Sequence, residues 1–381
     1  MKKILVFAGT RPEAIKMVPV VRALRARSDV FAVTLCASGQ HREMLDQAFA
    51  DFDMKPDIDL GVMAPSQTLA SLSARLFTAI DDLLERETPD AILVQGDTTT
   101  AEVAALCAFY RRIPLGHVEA GLRSHDLEAP FPEEMNRRVI SMVGEWHFAP
   151  TELSKQNLLD EKVAPTSIYV TGNTVIDALL EMRERIRKDP PALPPAIEAV
   201  LAAKRPIVLI TGHRRESFGQ GFEDICAALK LLAERHGDVS FVYPVHLNPA
   251  VGEVVRARLG SIPNIVLEAP LSYKPFVRLM DASKILLTDS GGLQEEGPSL
   301  GKPVLIIRKT TERPEGVTAG VNKLVGTDID AIVTNVSKLL TDAAAYKQVA
   351  STKNPYGDGT AGKQIAEILQ ATFAESEGYG F

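Results

Sequence analysis

Short apolar runs alternate with helix-period stretches along almost the whole chain. That alternation restricts the fold more than any other feature of the sequence. In the first half "KILVFAG", "FAVTLCASG", "AILVQGD", "PLGHVEAG", "WHFAPT" and "SIYVTG" read as strands. Between them, Leu69, Leu72, Leu76, Ile80 and Leu83 recur at helical spacing, as on a helix with one face against a core. The second half repeats the scheme with "PIVLITGH", "VSFVYPVH", "NIVLEAPL", "KILLTDSG", "PVLIIRK" and "KLVGTD". Strands that are apolar on both faces and separated by helices belong to parallel sheets covered on both sides. The predicted class is therefore α/β, with two Rossmann-like doubly wound domains facing a central cleft. A length of 381 residues suits two domains.

The stretch "RERIRKDPPALPPA", Arg183 to Ala196, is charged and then Pro-rich, which predicts exposed connecting chain. The domain change is placed just before it, at Gly172–Asn173, because "VIDALLEMRERIRK" suits a helix of the second domain. Residues 1–172 then form the first domain and 173–361 the second, while 362–381 supply a helix and tail that pack back on the first. Hydrophobic residues make up 45%, enough for a core without metal or disulfide staples. Cys36, Cys107 and Cys226 are widely spaced in mostly apolar runs and read as reduced, buried thiols of a cytoplasmic protein. A net charge of -7 disfavours nucleic acid as a partner. "MKKILVFAGTRPE" runs into a turn too soon for a signal peptide, and no stretch approaches the roughly 20 apolar residues of a membrane span.

In doubly wound sheets, ligands sit beyond the carboxyl ends of the strands, so the residues following each strand matter most. "GTRPEAIK" follows the first. Gly9 permits a tight turn, Pro12 suits a first helical turn, and Arg11 and Lys16 sit near a helix start that already favours anions. It is not a GxGxxG fingerprint, so no dinucleotide cofactor is expected. "QGDTTT" brings Asp97, for which a plain helix cap is the competing reading. "HVEAGLRS" brings Glu119, and "PFPEEMNRR" brings Glu133 and Glu134 in a first turn. A helix start accounts for one such acid. It does not account for three separate segments each delivering a carboxylate. Asp126, Glu128 and Glu134 read as solvated or structural.

The second half differs in sign. "TGHRRESFGQG" carries His213, Arg214 and Arg215 after a strand, and "YPVHLNP" carries His246. In "LTDSGGLQEEGPSLG", Ser290, Gly291 and Gly292 join a strand to a helix, where free N–H groups bind phosphate oxygens. Glu296 lies one turn further, placed to hold ribose hydroxyls, and "TTERPEG" adds Arg313. A nucleotide-sugar fits this polarity, its nucleotide on the second domain and its sugar toward the acids.

"GTRPEAIKM", "QHREML", "GDTTT", "HVEAGLR", "PEEMNR", "TGNTVIDAL", "TGHRRES", "VHLNP", "DSGGLQEE", "PSLGKPVLIIR", "TTERPE" and "NPYGDG" follow in order from Gly9 to Gly359. Together they resemble the non-hydrolysing UDP-N-acetylglucosamine 2-epimerase family. The resemblance implies a GT-B glycosyltransferase-like fold. It also implies reversible interconversion of UDP-N-acetylglucosamine and UDP-N-acetylmannosamine, in the bacterial cytoplasm, by a homodimer that supplies surface polysaccharide assembly. The reaction would eliminate UDP, pass through 2-acetamidoglucal and add UDP back with no cofactor, and no ligand cluster for a metal is visible in the sequence. By motif position, the resemblance places catalytic roles on Asp97, Glu119, Glu133 and His213. It places UDP contacts on Arg11, Lys16, Phe276, Ser290, Gly291, Gly292, Glu296 and Arg313. Leu271 stands where some relatives have glutamine, beside the segment expected to meet uracil. Gln40, His41, Arg214 and His246 fall in motifs resembling an activating, allosteric site for a second UDP-N-acetylglucosamine. Which acid is base and which is proton donor stays open. So do three rival readings: a hydrolysing epimerase, a glycosyltransferase of the same fold and a catalytically silent sensor.

Overall fold

The computed structural model describes residues 1–39, 42–64, 67–212, 219–246 and 248–378. Gln40, His41, His213, Arg214 and Arg215 lie outside the described residues. The chain divides into two compact units, Met1–Ala178 with Tyr356–Phe381, and Leu179–Pro355. The first unit runs β1 (Lys2–Ala8), α1 (Arg11–Arg25), β2 (Phe31–Ala37), α2 (Arg42–Ala50), β3 (Ile58–Asp59), α3 (Leu69–Glu87), β4 (Ala91–Gln95), α4 (Thr99–Tyr110), β5 (Leu115–Val118), α5 (Glu133–Val143), β6 (Trp146–Ala149), α6 (Glu152–Asp160) and β7 (Ile168–Val170). After α7 (Thr174–Lys188) the second unit continues with α8 (Pro195–Ala202), β8 (Ile207–Thr211), α9 (Gln220–Arg235), β9 (Ser240–Pro244), α10 (Pro249–Leu259), β10 (Ile265–Glu268) and α11 (Tyr273–Ala282). It ends with β11 (Ile285–Thr288), α12 (Gly291–Ser299), β12 (Val304–Ile306), α13 (Pro314–Thr318), β13 (Asn322–Leu324), α14 (Ile329–Thr341) and α15 (Ala343–Ala350), and α16 (Ala361–Gly378) belongs to the first unit.

Each unit is built on one parallel sheet. The first has the order β3-β2-β1-β4-β5-β6-β7 and the second β10-β9-β8-β11-β12-β13. Apolar content explains the central positions: β4 is buried from Ala91 to Gln95, and β1 from Ile4 to Ala8. Both faces are covered by helices, so a run without polar alternation is stable only there. In the first unit Leu72, Leu76, Ile80 and Leu83 of α3 join Leu5, Phe7, Ile92 and Val94 in one core. Each such fully buried side chain contributes about 1.5–3 kcal/mol. A matching core in the second unit gathers Ile210, Phe241, Leu287, Leu305 and Val336. Cys36, Cys107 and Cys226 are free and buried.

Both sheets reverse direction in the middle, between β1 and β4 in one and between β8 and β11 in the other. Loops leaving adjacent strands there diverge to opposite faces and open a crevice at the carboxyl ends. In the first unit the turn after β1 comes very close to the start of α4. A Cβ on Gly9 would lie 2.5 Å from Thr100 Oγ1 and 2.7 Å from Ser38 Oγ, so only glycine fits. Thr98 opens α4 by accepting the Ala101 N–H at 3.1 Å.

The returning helix α16 packs along α1. Its first N–H groups, at Ala361 and Gly362, donate to the Asp177 carboxylate at 3.3 and 2.8 Å. Phe373 meets Trp146 edge-on at 5.8 Å. One expectation needs correction. The connecting stretch 183–196 is not wholly exposed: Ile186 is buried on the helical stripe of α7, and Leu193 is buried before α8, its N–H bonded to Glu198. Among the described residues, no helix is long and apolar enough to cross a membrane.

Candidate functional site

Glu119 leaves β5 with a left-handed backbone, φ +64, although it is not glycine. Such a conformation costs energy and persists where the surroundings demand it. The surroundings here are polar contacts to a buried carboxylate. Lys16 Nζ of α1 donates to Oε2 at 2.5 Å, Gln95 at the end of β4 donates to the same oxygen, and Asn173 Nδ2 approaches Oε1 at 3.4 Å. Three elements thus converge on one side chain that is 6% exposed. Their positions in the chain, 16, 95 and 173, lie far apart in sequence.

Asp97 sits in the turn after β4. Arg137 Nη2 of α5 donates to its Oδ2 at 2.5 Å, and Asn136 Nδ2 donates to its backbone carbonyl at 2.8 Å. Glu133 opens the same helix one turn earlier and is half-buried. Arg11 likewise opens α1 and is half-buried. The carboxyl ends of β1, β4 and β5 therefore carry Arg11 and Lys16, Asp97, and Glu119 on one edge of one sheet, with α5 adding Glu133.

Glu134 has a different task. It is fully buried and accepts the N–H groups of Ser124 and His125 at 2.9 and 3.2 Å and Arg138 Nε at 3.0 Å. Burial alone opposes its ionisation. The Ser124 N–H and the Arg138 and Arg137 cations outweigh burial and hold the carboxyl below its ordinary range. It fixes the loop between β5 and α5, which is the structural role the sequence allowed. Asp126 caps its own turn, accepting the Glu128 N–H at 3.0 Å.

Sequence reasoning passed over two residues here. Glu13 is 2% exposed and accepts Gly9 N–H, Thr10 Oγ1 and Thr98 Oγ1. Burial pushes its carboxyl up to about 7 against those three donors. His117, wholly buried in β5, donates Nε2–H to the Gly96 carbonyl at 2.8 Å, and burial pushes the ring down to about 3. It is a neutral support for the turn carrying Asp97. The available signal for His117 was a polar residue within an apolar strand; Glu13, in a helix's first turn, gave none.

In the second unit the carboxyl ends of β9, β10, β11 and β12 supply the remaining described candidates. Ser290 precedes α12, and Gly291 and Gly292 form its first turn, whose N–H groups have no intrahelical acceptor. A Cβ on Gly291 would lie 2.5 Å from Arg313 Nη1, so the guanidinium rests against the glycine backbone at the helix start. Arg313 is steered there by its Nε–H bond to buried Glu295 and by Thr311, whose Oγ1 accepts the Arg313 N–H at 3.1 Å. Glu296 is 7% exposed and accepts Tyr273 O–H at 3.2 Å. Phe276 lies one turn after Tyr273 on α11, and Leu271 is half-buried in the loop before it. An arginine beside a glycine helix start is chemistry suited to phosphate oxygens, and a carboxylate such as Glu296 can accept from hydroxyls. His246 follows β9, is exposed, and accepts the Asn248 N–H at 3.1 Å.

A cavity of about 400 Å³ lies elsewhere, among Pro303, Val321, Asn322, Lys338 and Val349, and holds none of these residues. Among the described residues, no group of three or more His, Cys, Asp or Glu is arranged to hold a metal.

The family model for UDP-N-acetylglucosamine 2-epimerase matches residues 22–370. The chain belongs to that family. A UDP-N-acetylglucosamine 2-epimerase of Escherichia coli K12 is 51% identical over 375 residues, 97% of this chain and 98% of that protein. The crystal structure of the UDP-GlcNAc 2-epimerase of Neisseria meningitidis bound to UDP-GlcNAc is 46% identical, with a TM-score of 0.86 over 97% of this chain and 100% of that one. That of Methanocaldococcus jannaschii, in complex with UDP-GlcNAc and UDP, is 32% identical with a TM-score of 0.79, covering 97% and 99%. Within this epimerase family, Lys16 has one notable feature here. Sequence reasoning gave it a diphosphate contact, and in this structure its ammonium is on Glu119.

Proposed function

We propose that the protein interconverts UDP-N-acetylglucosamine and UDP-N-acetylmannosamine by eliminating and re-adding UDP. The hydrogen on carbon 2 is not beside a carbonyl, so a base alone removes it with difficulty. If the bond from carbon 1 to the phosphate oxygen breaks first, its electron pair leaves with UDP and positive charge develops on the ring. The carbon-2 proton then passes to a carboxylate, and the C–H pair forms the double bond of 2-acetamidoglucal. Return of a proton to the opposite face and of UDP to carbon 1 completes the change. Positioned acid–base groups typically contribute about 10²–10⁴-fold to such transfers.

The observation that supports this reading is that Asp97 and Glu119 follow adjacent strands at the carboxyl end of one sheet, with α5, which opens on Glu133, bonded to Asp97 through Arg137, while the second unit offers a glycine helix start with an arginine against it. Asp97, Glu119 and Glu133 take the proton-handling roles, and His213 serves with them. Arg11, Arg313, Ser290, Gly291 and Gly292 neutralise the departing diphosphate. Glu296 holds the ribose, and Leu271 and Phe276 border the base. Lys16 turns from Glu119 to the diphosphate when substrate is present. Gln40, His41, Arg214 and His246 bind a second UDP-N-acetylglucosamine that activates turnover. The site of action is the cytoplasm. The test is product analysis by NMR after incubation with UDP-N-acetylglucosamine alone. Two intact UDP-sugars in a fixed ratio are expected. Release of UDP and free N-acetylmannosamine would contradict this proposal.

The working form is a homodimer. In support, α4 is largely apolar, with Glu102 its one charged residue, and Phe109 and Tyr110 at its end are 58% and 68% exposed. Met135 and Met142 of the adjoining α5 are 42% and 83% exposed. Exposed aromatic and methionine side chains gathered on neighbouring helices mark a surface that calls for cover.

A further inference from the structure

Both flanks of Asp97 are held. The Gly96 carbonyl before it accepts His117 Nε2–H, and Thr98 after it donates its hydroxyl to Glu13 Oε1 at 2.8 Å. The other Glu13 oxygen takes Thr10 Oγ1–H at 2.8 Å and Gly9 N–H at 3.1 Å. One buried carboxyl group thus ties the turn that precedes Arg11 to the turn that carries Asp97.

We propose that Glu13 is a positioning residue for the reaction, its ionised carboxylate holding the turns of Arg11 and Asp97 in one arrangement. This rests on the function proposed above. An ionised carboxylate only accepts, and all three donors then have an acceptor. A protonated one has to donate. Thr98 Oγ1 already accepts the Ala101 N–H, so a proton on Oε1 reverses the Thr98 bond and leaves that hydroxyl hydrogen without Glu13. A proton on Oε2 reverses the Thr10 bond or displaces the Gly9 N–H. Either way one donor loses its acceptor on Glu13, the hold on the two turns is altered, and a small displacement of Asp97 is enough to slow proton transfer.

All the donors to Glu13 are uncharged. The charged and titratable groups on the surrounding elements are Arg11 and Lys16 on α1, Asp97, Glu102 on α4, His117, Glu119 and Arg137. Lys16 pairs with Glu119 and Arg137 with Asp97, and burial keeps His117 neutral and raises Glu102. Burial also places the Glu13 titration at about 7, so the tie is made and broken within the working range.

The experiment compares wild type, Glu13→Gln, Thr98→Ser and Thr98→Ala, each in kcat and KM for UDP-N-acetylglucosamine across pH values on both sides of 7. It also measures amide hydrogen exchange of residues 96–101, corrected for the intrinsic pH dependence of exchange. The expected wild-type kcat climbs through about pH 7 and levels off. Glu13→Gln is expected to lose about tenfold to a hundredfold in kcat above that pH and to lack the climb, with KM within about twofold. Thr98→Ser should follow wild type and Thr98→Ala should follow Glu13→Gln. Protection of residues 96–101 should strengthen with pH in wild type only. A Glu13→Gln enzyme with wild-type kcat and the same climb overturns the proposal, as does unchanged exchange. If the wild type converts no UDP-N-acetylglucosamine, the function proposed above fails separately. The exchange data then decide alone: pH-dependent protection lost in Glu13→Gln sustains the tie, and unchanged protection removes it.

Discussion

Removal of the Lys16 ammonium, by Lys16→Met, is the sharpest test of how the first unit stabilises its buried acid. The two side chains are 2.5 Å apart, with the lysine 15% and the carboxylate 4% exposed. Breaking a buried pair from one side costs about 3–5 kcal/mol, because the remaining charge is left in a poor solvent. Gln95 and Asn173 still donate to Glu119, which favours the lower end, about 3 kcal/mol. Glu119→Gln, by contrast, leaves the more exposed lysine able to reach water. The double variant should therefore be more stable than the sum of the single losses requires, by about 2 kcal/mol. Trp146 is the chain's single tryptophan and is buried in the first unit, so its fluorescence reports the unfolding of that unit. With a urea dependence of about 1–3 kcal/mol per molar, Lys16→Met should lower the midpoint by about 1–3 M. An unchanged midpoint, or single losses that simply add, would refute the claim that this pair is coupled and desolvated.

Asp97→Asn, Glu119→Gln and Glu133→Gln should each lower turnover by at least about a hundredfold while UDP still binds by calorimetry. For Glu13, the folded carboxyl at about 7 stands above its ordinary 4.5, so its contribution to stability is full below 4.5 and is lost as pH rises through about 7. Glu13→Gln should accordingly match wild type near pH 4.5 and exceed it above pH 7 by up to about 3 kcal/mol, measured by urea unfolding at both pH values. Tyr110→Asp with Met142→Asp should convert the proposed dimer to a monomer in light scattering, since two charges cannot be buried unpaired in an apolar contact.

The strand-end positions of the candidate residues were legible in the chain, because a short apolar run followed by a helix pattern marks where a parallel strand stops. Asp97, Glu119 and Ser290 each follow an apolar run directly, and each stands at the carboxyl end of a parallel strand. The contacts were not legible. Lys16 and Glu119 are 103 residues apart, and nothing local says that they meet. Glu13 reads in sequence as an acid suited to a helix's first turn, a surface role that the dipole explains. Only the packing of Gly9 against Thr100 shows that this turn is buried. Glu119 hides its left-handed backbone for a similar reason: the glycine signal lies two residues later, at Gly121. The helix α8 was obscured by the prolines that start it, since Pro195 at a first turn and proline in a linker look alike in sequence.

The most direct measurement of the central claim is solvent exchange at carbon 2. Purified protein is incubated with UDP-N-acetylglucosamine in heavy water, without any acceptor, and the recovered UDP-sugars are read by NMR and mass. Proton removal and return by carboxylates predicts one deuterium at carbon 2 of the UDP-N-acetylmannosamine formed, and none elsewhere on the ring. Epimer formed with its carbon-2 hydrogen retained would contradict the account.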